Sequence, residues 1–225
     1  MILSIATIPE SQKLAEIHEA LGKLEWRDGK VTAGKIAARV KENEQAIMTS
    51  AAGRAVGQML LPLIEDNPIV KSAARPRRIS PLLISRTEDG GHYGAHVDNS
   101  LMGKGDKRIR TDISFTLFLS DPGDYEGGEL VVQTAGLTQT IKEAAGNLVL
   151  YPSSSIHEVR PVTRGTRLVA VGWIESLIRD VSQRELLFDL QNTRNALRAK
   201  LPVEAPELLM IDKTIANLMR MWAEL

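Results

Sequence analysis

His92-Tyr93-Gly94-Ala95-His96-Val97-Asp98-Asn99 is the stretch on which the reading of the chain turns. In extended backbone the side chains at i and i+2 point to one face, so His96 and Asp98 project together past Val97. An imidazole nitrogen and a carboxylate oxygen on one face form a chelate for a divalent ion. A third ligand from a distant segment would complete a facial set with three positions left open for substrates. His157, which opens a later strand after the turn Tyr151-Pro152-Ser153-Ser154-Ser155, is the candidate for that third place.

The remaining composition narrows the function. With 225 residues, 43% hydrophobic and 25% charged, the chain can bury a substantial core and reads as one main domain with appendages. Its 28 basic residues balance its 28 acidic ones, so no field steers nucleic acid or an anionic membrane, and the expected partner is a small-molecule or peptidyl substrate. There is no cysteine, which excludes thiolate zinc sites, iron–sulfur clusters and cysteine nucleophiles. The opening Met1-Ile2-Leu3-Ser4-Ile5 lacks a basic leader, and no run approaches the roughly 18 apolar residues of a membrane span. A cytoplasmic protein is expected.

Outward from the central stretch, three regions are predicted. Residues 1–78 read as mainly helical: a helix begins near Pro9-Glu10 with Leu14, Ile17, His18 and Leu21 at helical spacing, and a longer one spans Glu44 to Glu65, stopped by Asp66-Asn67-Pro68. His18 is expected on that first helix, away from any metal. The basic cluster Arg75-Pro76-Arg77-Arg78 lacks neighbouring aromatics and reads as a solvated junction. Residues 79–178 carry the β pattern. Arg110 to Leu119 alternates, with Ile113, Phe115, Leu117 and Leu119 on one face and Ser114, Thr116 and Phe118 on the other. Short strands separated by Gly and Pro turns follow to Glu175, which indicates a sandwich or barrel. Residues 179–225 return to helix, with stripes Leu186-Leu187-Leu190-Leu197 and Leu208-Ile211-Ile215-Leu218-Met219-Trp222 on either side of Pro202 and Pro206. Those stripes pack on the core or form a homo-oligomer contact, and Met210, Met219 and Met221 are expected as packing residues.

Ten residues after His157 stands Arg167. It shares a strand face with Val169, Val171 and Trp173, so its guanidinium emerges among apolar side chains, where it needs an anion. A carboxylate taken bidentately fits that fork, and a dicarboxylic cosubstrate would supply it.

Taken together, His96-x-Asp98, His157 and Arg167, with Gly90-x-x-Tyr93, Gly127-Gly128-Glu129-Leu130 and Gly146-Asn147-Leu148-Val149-Leu150-Tyr151-Pro152, resemble the iron(II)- and 2-oxoglutarate-dependent dioxygenases of the prolyl 4-hydroxylase-like superfamily. More narrowly, Tyr93-Gly94-x-His96-Val97-Asp98-Asn99, the Arg110–Ser114 strand and the helical tail resemble the bacterial PKHD-type hydroxylases, the PiuC and YbiX group. The resemblance implies an α+β chain built on a double-stranded β-helix (jelly roll), with Fe(II) on His96, Asp98 and His157 and 2-oxoglutarate on Arg167. It also implies hydroxylation of a substrate with release of succinate and CO2, and L-ascorbate as a candidate reductant. Related hydroxylases carry a tyrosine where Thr87 stands; Thr87, Tyr93 and Tyr151 are the candidates to take over its hydrogen bond to the cosubstrate. Arg110 and Thr111 are candidates for the pocket wall, and His92 for a supporting or surface role, because Gly94 breaks its phase with His96. Two other readings stand beside this one. An iron-binding or iron-sensing β-sandwich without turnover would keep the three ligands but would not need Arg167, and an assembly protein would use its helical flanks.

Overall fold

A computed structural model describes residues 1–32 and 37–224; Leu225, the last residue of the third predicted region, lies outside them. The strands are β1 (Leu3–Ala6), β2 (Trp26–Asp28), β3 (Lys41–Glu42), β4 (Glu44–Ala46), β5 (Pro76–Ile79), β6 (Leu83–Thr87), β7 (His92–His96), β8 (Leu101–Met102), β9 (Ile109–Arg110), β10 (Ile113–Phe118), β11 (Tyr125–Gly127), β12 (Leu130–Thr134), β13 (Leu137–Ile141), β14 (Asn147–Pro152), β15 (Ile156–Val159), β16 (Val162–Gly165) and β17 (Arg167–Ser176). The α-helices are α1 (Ser11–Leu21), α2 (Ala51–Glu65), α3 (Pro68–Ala74), α4 (Val181–Arg198) and α5 (Pro206–Trp222). A large antiparallel sheet runs β1-β14-β10-β17-β6-β4-β2, with β5 added on β17, and a smaller one runs β13-β12-β15-β7-β3. The strand pattern predicts a sandwich or barrel, and this is the jelly roll that the family resemblance implies.

Alternation along the central strands explains the layering. On β10 and β14, Phe115, Leu117, Leu148 and Leu150 belong to a core shared with Ile17, Leu21, Val56, Leu60, Ile64 and Val70 of the first three helices. The alternate residues Phe118, Val149, Tyr151 and Val169 join Leu130 and Val132 of the small sheet in a second core. Every residue of β10 is therefore buried, as a strand covered on both faces must be. Gly172 on β17 lies beneath Phe115, whose ring a Cβ would meet at 2.5 Å.

The N-terminal third departs from the mostly helical expectation. Five of its segments are strands, and β1, β2, β3 and β4 extend both sheets. The helix predicted from Glu44 begins at Ala51, where Ser50 caps it by accepting from the Gly53 amide at 3.0 Å. Apolar spacing at Ile47 and Ala51 is shared by the end of a strand and the start of a helix, and the cap decides between them. The predicted stop at Asp66-Asn67-Pro68 holds, yet Asn67 at once caps α3, accepting from Ile69 and Val70. Arg77 and Arg78 lie on β5 with side chains 34% and 40% exposed, and both also pair with the buried Glu175, at 3.3 and 3.1 Å.

At the other end α4 and α5 pack on each other and on Ile178, with Leu187 and Ile215 buried and Leu190, Ile211, Leu218, Met219 and Trp222 around them. Met219 packs as expected, whereas Met210 and Met221 are exposed. Among the described residues no helix is long and apolar enough to cross a membrane.

Candidate active site

Strands β7 and β15 bring the first three residues together. His96 and His157 are directly opposed in the antiparallel register, and the next pairing, Val159 with Tyr93, skips a residue, so β7 carries a bulge at Gly94-Ala95. The bulge lets Tyr93 and His96, three apart in sequence, share a face: their rings stack at 3.7 Å with an interplanar angle of 17°. His92 is turned out instead, where its Nδ1 lies 3.7 Å from Glu42 on the surface. Just past the strand, Asp98 sits with Oδ1 3.9 Å from His96 Nε2 and Oδ2 3.7 Å from His157 Nε2. One donor atom from each of the three lies within 4.8 Å of the others, and all three side chains are at most 9% exposed.

Hydrogen bonds orient this set. His96 Nδ1 is 2.9 Å from the Gly94 carbonyl and His157 Nδ1 is 3.1 Å from the Ser155 carbonyl. A carbonyl only accepts, so each Nδ1 carries the proton and each Nε2 presents its lone pair inward. Burial, with His157 adding repulsion, pushes the His96 imidazole down to about 4, so it is neutral near pH 7. Asp98 Oδ2 accepts from Ser114 Oγ at 2.5 Å, and Ser114 is itself 2.7 Å from Ser153 Oγ. Two nitrogens and one carboxylate, oriented before any ion arrives, suit Fe(II) in a three-ligand facial site.

The three residues line a cavity of about 100 Å³ between the sheets, room for several waters or a small organic acid. Arg167, 2% exposed, is part of its wall. Its guanidinium stacks 5.4 Å from the centre of the Phe118 ring, and its Nε has no hydrogen-bond partner. Burial pushes its pKa down; Tyr125 and Tyr151 oppose that most, and Glu129 less. No carboxylate among the described residues pairs with it. Thr87 is its cross-strand neighbour on β6 and is buried in the same cavity. Tyr93 and Tyr151 also line it. Tyr151 packs edge-on to His157 at 5.1 Å, and burial raises its phenol well above the usual range. Burial, with Asp98 adding, raises Tyr93 to about 12.

Two expectations resolve elsewhere. Arg110 does not reach the cavity; it bonds Asp112 at 2.8 Å, Glu224 at 2.7 Å and the Ser176 carbonyl at 3.1 Å. Thr111 donates to the Asn99 carbonyl at 2.6 Å and so ties down the turn that follows Asp98. His18 sits on the exposed side of α1, 2.5 Å from the Leu119 carbonyl. Trp173 lines the cavity with Arg167, whose strand face it was predicted to share, and the sequence reading overlooked three contributors: Ser114, Tyr125 beside Arg167, and Lys41. Only Lys41 had a usable signal, since Lys41, Asn43 and Gln45 alternate at strand spacing; a strand there was masked by the helix assigned from Glu44.

Comparison with known proteins agrees with this geometry. Residues 82–175 match the 2OG-Fe(II) oxygenase superfamily, and residues 182–224 match the PKHD-type hydroxylase C-terminal domain. The chain is 47% identical over 224 residues to a PKHD-type hydroxylase of Hyphomonas neptunium and 46% identical over 224 residues to one of Gloeothece citriformis, covering 100% of both chains in each case. Its fold resembles a prolyl hydroxylase from Trichoplax adhaerens in complex with a hypoxia inducible factor peptide fragment, at a TM-score of 0.59 and 15% identity over 82% of this chain and 86% of that one. It also resembles HygX from Streptomyces hygroscopicus with nickel and 2-oxoglutarate bound, at a TM-score of 0.54 and 15% identity over 79% and 84%. With full-length relatives at this identity and both domains matched, the chain belongs to the PKHD-type hydroxylases, enzymes of the Fe(II)- and 2-oxoglutarate-dependent oxygenase superfamily.

Proposed function

We propose that His96, Asp98 and His157 hold Fe(II) on one face and that Arg167 takes the remote carboxylate of 2-oxoglutarate, making the chain a hydroxylase. The observation that carries this reading is Arg167: a fully buried guanidinium in the wall of the cavity lined by His96, Asp98 and His157, in no ion pair with a carboxylate among the described residues. A buried cation without an anion is costly, and a dicarboxylate that completes it gains accordingly. An iron-storing sandwich would leave that arginine without a role. When bound, the iron and cosubstrate supply the oxidation: 2-oxoglutarate, dioxygen and a substrate C–H bond become succinate, CO2 and a C–OH group.

The chain's own groups prepare that step. Nδ1–H bonds from His96 and His157 to backbone carbonyls keep both Nε2 lone pairs aimed at one point. The Ser114 bond fixes the Asp98 carboxylate plane. Tyr93 on His96, Tyr151 on His157 and the apolar Leu130, Val169 and Val171 around them restrict water in the site. Anaerobic titration with Fe(II) and then 2-oxoglutarate is expected to produce the weak metal-to-ligand charge-transfer band. Arg167→Ala should bind iron yet weaken 2-oxoglutarate by about a hundredfold, the scale of a lost charge-assisted pair. Unchanged cosubstrate affinity in that variant would overturn the assignment. His157→Ala should abolish succinate release.

A further inference from the structure

Strands β3 and β4 run consecutively from the edge of the small sheet, where Lys41 pairs with Tyr93, to the last strand but one of the large sheet, where Gln45 pairs with Ser85 and β2 lies outside. Residues 41–45 therefore close one flank of the cavity. Their side chains alternate: Lys41, Asn43 and Gln45 line the cavity, while Glu42 and Glu44 turn out to His92 and Arg86. A one-residue slip would reverse this and present two carboxylates to the interior. The cation and the amides face in, and the acids face out.

Lys41 is 5% exposed, and its ammonium lies 5.0 Å from the Tyr93 ring that stacks on His96. That places a positive charge on the β7 side of the metal donors, apart from Arg167 on β17. Burial pushes the ammonium down to about 8, against the opposing pull of Asp28, outside the cavity lining, and Asp98, within it, so the group is mostly charged near pH 7. An ammonium has three donors and can serve them and a ligand together. Asp98 is the one acidic side chain lining the cavity among the described residues, against the two cations Lys41 and Arg167. A divalent ion and a dianionic cosubstrate cancel one another, so loading the site leaves it as favourable to an anion as before. Trp173, with a buried indole N–H that has no partner, adds a further donor to the same cavity.

We propose that the prime substrate is a small carboxylate-bearing molecule whose carboxylate is held by Lys41, with the Asn43 and Gln45 amides beside it, leaving its carbon skeleton directed at the metal. This deepens the hydroxylase reading and rests on it. A cationic substrate such as a protonated amine would meet Lys41 head-on.

The test uses the full-length protein loaded anaerobically with Fe(II) and saturating 2-oxoglutarate, with N-acetylglycine and its neutral carboxamide as probes and the charge-transfer band as the readout. N-acetylglycine is expected to shift the band and to bind at least about tenfold more tightly than the amide, the scale of a hydrogen bond to a charged group. Lys41→Met should reduce acid binding to the level of the amide while 2-oxoglutarate affinity stays within about twofold, and Lys41→Arg should restore it. The proposal is overturned if acid and amide bind alike, if neither perturbs the band, if Lys41→Met binds the acid as the wild type does, or if that variant loses 2-oxoglutarate. Failure of the wild-type protein to form the band at all would instead remove the hydroxylase reading.

Discussion

Ser114, Tyr125 and His96 illustrate how much of the site is decided one side chain at a time. Burial raises the pKa of the Tyr125 phenol, and the adjacent Arg167 guanidinium opposes that rise. Thr87 offers only a short hydroxyl on the neighbouring strand, and the Tyr125 phenol is expected to support the Arg167 fork from behind the cavity wall. Tyr125→Phe should weaken 2-oxoglutarate binding by about five- to tenfold, read in the same anaerobic titration, with iron affinity unchanged. His96 sets a pH dependence. The folded chain keeps this imidazole neutral down to about 4, whereas an unfolded chain protonates it near 6.5. Between those values the unfolded state binds more protons, so the metal-free protein loses stability as pH falls through the window and gains nothing from this group above it. Urea unfolding at pH 7 and pH 5 should differ by about 2 kcal/mol from this residue, and His96→Gln should flatten the difference.

Among the elements, the bulge in β7 does most to shape the centre. It exists where Gly94 passes against the segment before β3: a Cβ on Gly94 would come within 2.9 Å of the Val40 Cβ. Gly94→Val should force β7 away from its neighbour, cost about 1–3 kcal/mol in stability and weaken iron binding, because Tyr93 and His96 would lose their shared face. Gly123 is the control, since a Cβ there meets nothing within 4 Å; Gly123→Ala should stay within about 0.5 kcal/mol of the wild type. Thermal or urea melts with an iron titration separate the two variants. The same strand shows why His92 was legible as a supporting or surface residue and not a ligand: a glycine inside a short strand signals broken alternation from residue order alone.

Across the whole molecule, one residue joins the C-terminal helices to the end of the barrel that carries His96, Asp98 and His157. Arg110 bonds Glu224, Asp112 and the Ser176 carbonyl together, while the Glu224 amide donates to the Leu177 carbonyl at 2.8 Å. Its neighbour Thr111 anchors the turn after Asp98, so the tail and the ligand loop share a support. Asp112 is 8% exposed, whereas Glu224 is 48% exposed. Arg110→Ala leaves the buried carboxylate without its cation and should cost about 2–4 kcal/mol. Glu224→Ala removes a surface pair and should cost no more than about 1 kcal/mol. Denaturant unfolding checks both.

Much of this protein was readable in one dimension. Strand alternation over residues 110–119, Gly and Pro punctuation and the apolar stripes of the tail are local patterns, and they indicate a sandwich or barrel with a helical tail because each depends only on neighbours along the chain; the jelly roll itself came from the family resemblance. The His-x-Asp pair, His157 and Arg167 were likewise visible as residue types at telling positions. Tertiary packing decided what lies across gaps. It made strands of residues 41–46, whose short pattern cannot outvote a helical reading until a sheet edge offers hydrogen bonds. It also set Tyr125 beside Arg167 and turned Lys41 into the cavity. Such placements depend on which edges meet when two sheets close on each other, and that closure is an energetic property of the whole fold.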